Sequence, residues 1–240
     1  MTPAEIESNK LTKCNDVSEF LGVKPEEVIE KTFKRSAALD SKTEWLKDNP
    51  QTSEDRDNWY KNSVTYLYDL IWFEQAKETI SPVHPGLLQI CQNNNYKKIL
   101  DFGGGTGGTL FYITNRFPIK AFYYDLETIA RKFAEFRIKK YQTPDFNFLN
   151  SEDEVNDHAN YDMVIALDVL EHLNNPLKYA SWLVSITRPG GMVYISAPFS
   201  ALENYPMHLE SNLRYVNTFE EYMVSLGLKK VSGALWQKNV

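Results

Sequence analysis

Apolar and polar positions change rhythm along this chain. From about Lys77 onward, short continuous apolar runs alternate with stretches in which apolar residues recur at helical spacing. The runs predict buried strands, and the recurring pattern predicts amphipathic helices. Strands are expected at residues 97–103, 119–125, 146–150, 161–168 and 192–199, with a last one beginning at 229–235. Helices are expected at 107–117, through Tyr141 with Ile129, Phe133, Phe136 and Ile138 inward, at 176–187, and at 218–226. In that last helix Thr218 and Glu221 have capping-box spacing. Strand–helix alternation predicts an α/β fold, a Rossmann-like, doubly wound and mostly parallel sheet with right-handed crossovers. The run YDMVIALD at 161–168 has the character of a strand buried on both faces.

Residues 1–76 follow a different pattern. They are charged and helical, and we read them as an N-terminal extension or lid on a sheet domain spanning 77–240. Pro25 followed by Glu26 and Glu27 suits a helix start, and polar residues 49–57 are expected to form a loop. An aromatic cluster then appears: Trp59, Tyr60, Tyr66, Tyr68, Trp72 and Phe73.

Length and charge narrow the classes. With 240 residues, the chain is long enough for one large domain or one domain with an appendage. No apolar run approaches the roughly 18 residues that span a bilayer. The first residues carry neither a basic flank nor an apolar stretch, so a cytoplasmic protein is expected. Cys14 and Cys91 lie far apart and are expected to be reduced thiols. A net charge of −6 disfavours a nucleic-acid partner, since phosphate backbones require a basic face. His84, between two prolines, is expected in a loop, and His158 at the surface.

The candidate chemistry centres on KKILDFGGGTGG at 97–108, where five glycines fall within six residues. Strand, glycine turn and helix together let backbone N–H groups and a helix N-terminus approach a ligand closely. Gly103, Gly105 and Gly108 satisfy G-x-G-x-x-G, and Asp125 ends the next strand, where an acid can accept from ribose hydroxyls. Those features alone fit a dinucleotide as well. Three others separate the possibilities: Asp101 two residues before the first glycine, ALDVLEHLNNP at the end of the fourth strand, and RPGGMVYISAP entering the fifth.

With these motifs in order, the sequence over about 97–235 resembles the class I S-adenosylmethionine-dependent methyltransferases. Within them it is most similar to the small-molecule branch that includes the ubiquinone and menaquinone methyltransferases. The resemblance implies S-adenosyl-L-methionine as cofactor. It implies that Asp101 and the backbone at Gly103, Gly104, Gly105 and Gly107 hold its amino-acid end, that Asp125 holds the ribose, and that Leu126 flanks the adenine. Asn150 and Ser151, where the family often has Asp-Ala, would lie at the adenine edge, and Asp168 would line the pocket. Asp168 is also a candidate N-cap for a helix at 169–173.

Methyl transfer from a sulfonium depends mainly on alignment in a dry site, and a weakly acidic acceptor also needs a base. His208, His172 and Glu171 are the candidates. Trp59, Tyr60, Tyr66, Trp72 and Tyr205 are expected to contribute to an acceptor pocket. Asp168, Glu171, His172 and His208 also resemble the E-x-x-E-H plus distal His site of metal-dependent RNA 2′-O-methyltransferases. The first acid here is Asp and a second distal His is not evident, so the reading taken is metal-free. The expected acceptor is a small molecule of secondary or cofactor metabolism, with a peptide or protein side chain as the alternative. The short C-terminus leaves room for little more than the sixth strand, so a very short hairpin or an edge completed in a homodimer is expected.

Overall fold

The computed structural model describes residues 2–200 and 205–240. Six helices come first: α1 (Pro3–Leu21), α2 (Pro25–Ile29, continued by a wider turn over Glu30–Lys34), α3 (Ala37–Asp48), α4 (Ser53–Asn62), α5 (Val64–Thr79) and α6 (Val83–Asn93). The alternating part follows as β1 (Lys98–Phe102), α7 (Gly108–Thr114), β2 (Lys120–Tyr124), α8 (Ile129–Tyr141), β3 (Phe146–Leu149), α9 (Glu152–Asp157), β4 (Tyr161–Leu167), α10 (Pro176–Ile186) and β5 (Thr187–Ser196). The chain closes with α11 (Phe219–Ser225), β6 (Leu228–Ser232) and β7 (Leu235–Lys238). Short 3₁₀ turns occupy Leu170–His172 and Glu210–Tyr215.

Among the described residues the sheet has seven strands in the order β3-β2-β1-β4-β5-β7-β6. All pairs from β3 to β5 are parallel, and β7 runs antiparallel to both β5 and β6. The parallel strands are covered on both faces. Leu100, Val164 and Val193 pack with Leu183 of α10, while Ile99, Ala121 and Ile165 pack with Leu87 of α6 and Leu110 of α7. This two-sided burial is why residues 163–167 of β4 read as an uninterrupted apolar run.

Of the two expectations for the C-terminus, the very short hairpin is the one found: Gly233, at φ +49°, turns the chain so that Leu235–Lys238 inserts between β5 and β6. An incomplete sheet edge therefore gives no reason to expect a homodimer. Several other local expectations are corrected. Residues 53–57 are helical, because Thr52 and Asp55 form a capping box that starts α4. The expected box at Thr218 does not form. Thr218 has helical backbone angles and donates back to the Arg214 carbonyl at 3.1 Å, because a 3₁₀ turn leads into α11. The strand expected at 192–199 begins earlier, at Thr187, with the Pro-Gly-Gly turn bulging out of β5 opposite Asp162. His84 sits in α6, where Pro85 is tolerated in the first turn. It is 1% exposed, and its Nε2 lies 3.2 Å from the Thr109 hydroxyl.

The N-terminal helices are joined to the sheet layer by buried charge. Glu74 of α5 accepts from Arg137 Nη1 of α8 at 3.0 Å and from the Thr106 hydroxyl at 2.8 Å. Lys13 of α1 donates to Gln75 and Glu78, each at 2.9 Å. Burial alone would raise the Glu74 carboxyl, but the charges of Arg137 and Lys13 and its hydrogen bonds hold it at about 2. Cys14 and Cys91 are free thiols, both buried. Among the described residues no helix is long and apolar enough to cross a membrane.

Candidate active site

The site is built at the carboxyl ends of β1, β2 and β4, the edge where open α/β sheets bind ligands. β1 ends at Phe102, and the chain reverses through Gly103, Gly105 and Gly107, all at positive φ (+70°, +53° and +69°). Gly103 N–H donates to the Tyr124 carbonyl at 2.7 Å, and Gly105 N–H donates to Asp125 Oδ2 at 2.7 Å. The second contact fixes the loop to the acid that ends β2. Tyr123 supports the same corner by donating to the Gly105 carbonyl at 2.7 Å. A Cβ at Gly104 would stand 2.6 Å from the Tyr123 ring, so this turn excludes side chains by packing as well as by conformation.

In front of the loop lies a cavity of about 640 Å³, within the range of roughly 300–1,000 Å³ typical of ligand sites. Gly103, Gly105, Asp125, Leu126 and Asp168 line its sheet side. α4 and α5 cover it with Tyr60, Tyr66, Asp69, Phe73 and Lys77, and Tyr205, Met207 and His208 close a third wall. Asp101 and Gly104 line a small adjoining recess of about 50 Å³ with Thr106, His84 and Glu74. Burial pushes the Asp101 carboxyl up to about 7, with Lys77 opposing the shift and Asp125 adding to it.

Not every expected residue reaches the cavity. Trp59 is buried behind it, edge-on to Trp45 at 4.9 Å, and Trp72 is 37% exposed beside Phe73. Asn150 Oδ1 accepts from Arg131 at 2.6 Å, and Ser151 caps α9 by accepting from Glu154 N–H. Gly107 serves as the left-handed N-cap of α7. Asp168 lines the cavity but caps nothing. Its φ is +55°, its Oδ1 accepts from the Ser196 hydroxyl at 2.8 Å, and its Oδ2 pairs with Lys77 at 3.1 Å. Lys77 and Asp69 are wall residues that the sequence reading did not assign to the site, and Phe73 is one it included only as part of the aromatic cluster. Their common spacing along α5 was the available signal.

His172, His208 and Glu171 come together. Glu171 Oε1 lies 3.9 Å from His172 Nε2 and 3.8 Å from His208 Nε2, and the three candidate ligand atoms all lie within 4.8 Å of one another. Glu171 is 0% exposed and neither carboxyl oxygen has a hydrogen-bond partner. Burial, assisted by Asp168, pushes its carboxyl up to about 8. His208 Nδ1 is 3.1 Å from the Ser200 carbonyl, and His172 Nδ1 is 3.2 Å from the Met207 carbonyl. A carbonyl only accepts, so the proton of each neutral ring belongs on Nδ1, and both Nε2 lone pairs face Glu171. Burial lowers both rings, His172 to about 4, which keeps them neutral. Tyr60 completes the arrangement with its hydroxyl 3.0 Å from His172 Nδ1. Chemically the cluster can take up a proton, or it can offer one oxygen and two nitrogens to a divalent cation.

Comparison with known proteins points the same way. A family model described as a methyltransferase domain matches residues 72–223. The mitochondrial ubiquinone biosynthesis O-methyltransferase of Dictyostelium discoideum is 26% identical over 144 residues, 55% of this chain and 43% of that protein. The chain thus spans less than half the length of that curated relative. An O-methyltransferase family protein from Burkholderia thailandensis shares the fold with a TM-score of 0.53 at 12% identity, over 85% of this chain and 71% of its own. The apo form of the S-adenosylmethionine-dependent methyltransferase SibL does so with a TM-score of 0.51 at 12% identity, over 88% and 72%.

Proposed function

This chain belongs to the S-adenosylmethionine-dependent methyltransferases, and on that premise we propose that it transfers the methyl group to an oxygen of a small acceptor. The observation that carries this reading is the Glu171, His172 and His208 cluster on the wall of the cavity that the glycine loop opens into. Asp101 and the loop from Gly103 to Gly107 would hold the amino-acid end of S-adenosylmethionine, Asp125 the ribose and Leu126 the adenine. The acceptor occupies the space under Tyr60, Tyr66, Phe73 and Tyr205, a covered aromatic pocket that suits a small molecule better than a peptide. Glu171, the most basic group of the cluster once ionised, takes the acceptor hydroxyl proton, directly or through the neutral Nε2 of His172 or His208. S-adenosylmethionine, when bound, would supply a methyl carbon on its sulfonium and leave as the thioether; holding the acceptor oxygen in line with it is the chain's own contribution, and proximity supplies most of the rate. Calorimetric titration tests the class: S-adenosylmethionine and S-adenosylhomocysteine are expected to bind, and NAD is not. Binding of NAD in place of both sulfur nucleotides would overturn the reading.

A metal-assisted version of the same transfer is favoured by one observation: Glu171, both of whose carboxyl oxygens lack a partner, has its Oε1 3.8–3.9 Å from the two Nε2 atoms. Metal-bound histidines commonly donate their other N–H to a backbone carbonyl, as both do here. Glu171, His172 and His208 would hold the ion. When bound, a divalent cation lowers the pKa of a coordinated hydroxyl. Mn²⁺ added to the protein is expected to lose its free-ion paramagnetic resonance signal at one equivalent, and Glu171→Gln is expected to leave that signal intact. Equal signals for the two proteins would exclude a metal at this cluster.

A further inference from the structure

The surface of α5 that faces the cavity carries Tyr66, Asp69 and Phe73, three and four residues apart. Asp69 is the anomaly among them. It is 2% exposed, and its Oδ1 has no hydrogen-bond partner. No ion pair is formed by it among the described residues. Desolvation is the cause that raises its carboxyl to about 7, with no nearby cation opposing it. A buried acid without a partner costs stability unless a ligand supplies the missing charge or donor.

The other charges of the cavity agree with this. Asp57, Asp125, Asp168 and Glu171 also line it, against Arg56 and Lys77. Lys77 is paired with Asp168 at 3.1 Å, and Arg56 donates to Asn174 at 2.8 Å, so neither is directed to Asp69. His172 and His208 are held neutral by burial. An acceptor bearing a carboxylate or phosphate would meet an acidic wall. An ammonium would meet a carboxylate flanked by the aromatic side chains of Tyr66, Phe73 and Tyr205, which also favour a cation.

Resting on the methyltransferase reading above, we propose that Asp69 binds a protonated amine on the acceptor, so that the substrate class is a hydroxylated amine. Asp69 is a specificity residue in this assignment. It takes no part in proton transfer, which stays with the cluster at Glu171.

Three probes of one skeleton test this: tyramine, tyrosol and 4-hydroxyphenylacetate, which end in an ammonium, a hydroxyl and a carboxylate. Each is titrated by calorimetry into the protein saturated with S-adenosylhomocysteine. Tyramine is expected to bind at least about tenfold more tightly than tyrosol, with 4-hydroxyphenylacetate weakest. Asp69→Asn is expected to bring tyramine to within about threefold of tyrosol while S-adenosylhomocysteine affinity stays within about twofold. Tyrosol binding as well as tyramine, no tyramine binding at about 1 mM, or an Asn variant that keeps the preference would each overturn the assignment. So would a variant that loses S-adenosylhomocysteine, since Asp69 would then serve the cofactor. If the variant does not fold, the wild-type order of the three probes still decides. Failure of the wild type to bind S-adenosylhomocysteine would instead count against the methyltransferase reading itself.

Discussion

Gly103→Ala is expected to abolish measurable S-adenosylmethionine binding and to lower the melting temperature by roughly 5–15 °C. Two costs combine. The residue holds φ at +70°, a region that costs an L-residue about 1–2 kcal/mol. Its new Cβ would stand 2.5 Å from Val169 Cγ2 and 2.8 Å from Cγ1, an overlap worth about 1–3 kcal/mol once neighbours shift. Val169 is not free to retreat, because it directly follows Asp168, which is tied to Ser196 and Lys77. The loop must therefore give way, and with it the Gly103 N–H contact to the Tyr124 carbonyl that sets the turn. Calorimetry and thermal melts measure both effects. Gly86→Ala is the control: nothing lies within 4 Å of its Cβ position and it sits inside α6. That variant should gain about 0.5–1 kcal/mol and bind cofactor normally. Wild-type affinity in Gly103→Ala would mean that this turn does not hold the cofactor.

The second large effect is expected at the acid–imidazole cluster. His208→Ala and Glu171→Gln should each lower methyl transfer by about 10²–10⁴-fold, the usual range for loss of a positioned acid or base. S-adenosylhomocysteine affinity should stay within about twofold, because the cluster is separate from the residues assigned to the donor. His208→Ala removes a lone pair 3.8 Å from Glu171 Oε1, and Glu171→Gln removes the carboxyl on which both Nε2 atoms converge. Transfer of a labelled methyl group, measured with whichever phenol the wild type turns over fastest, gives kcat and KM separately. Undiminished turnover in both variants would remove the cluster from the chemistry. A parallel loss of cofactor affinity would show that it shapes the donor site instead.

What the sequence revealed follows from how local each feature is. The glycine turn was legible because positive φ at Gly103, Gly105 and Gly107 imposes residue type directly. β4 was legible because its residues 163–167 are covered on both faces and are all apolar. The cap at Thr218 was misread because the competing event, a 3₁₀ turn leading into α11, lies upstream and leaves no mark on the capping residues themselves. His84 was misread because prolines on both sides suggest a loop, although Pro85 in a first turn costs a helix nothing. The aromatic cluster was correctly noticed but not sorted. Tyr60 and Tyr66 reach the cavity while Trp59 packs on Trp45 behind it. That division depends on where α3 lies against α4, and no local spacing encodes it. Asp69 was missed for the same reason. An acid on a mostly apolar helix can face solvent, a partner or a ligand, and only the packed structure distinguishes these.

The burial of Glu74 has a consequence for how the chain is made. As synthesis proceeds from the N-terminus, Lys13 and the acids of α5 emerge first, and Arg137 follows 63 residues after Glu74. Within the N-terminal helices Glu74 has only Lys13, 3.9 Å away, and the hydrogen bonds to its carboxylate come from α8 and from the threonine at position 106, so its final burial waits for them. Native order in the first helices and native order in the glycine turn therefore arise together, late, through contacts of long sequence separation. A newborn chain stalled before α8 would lack Ala130 and Phe133, the part of the apolar cluster around Leu67 and Ile71 that α8 supplies.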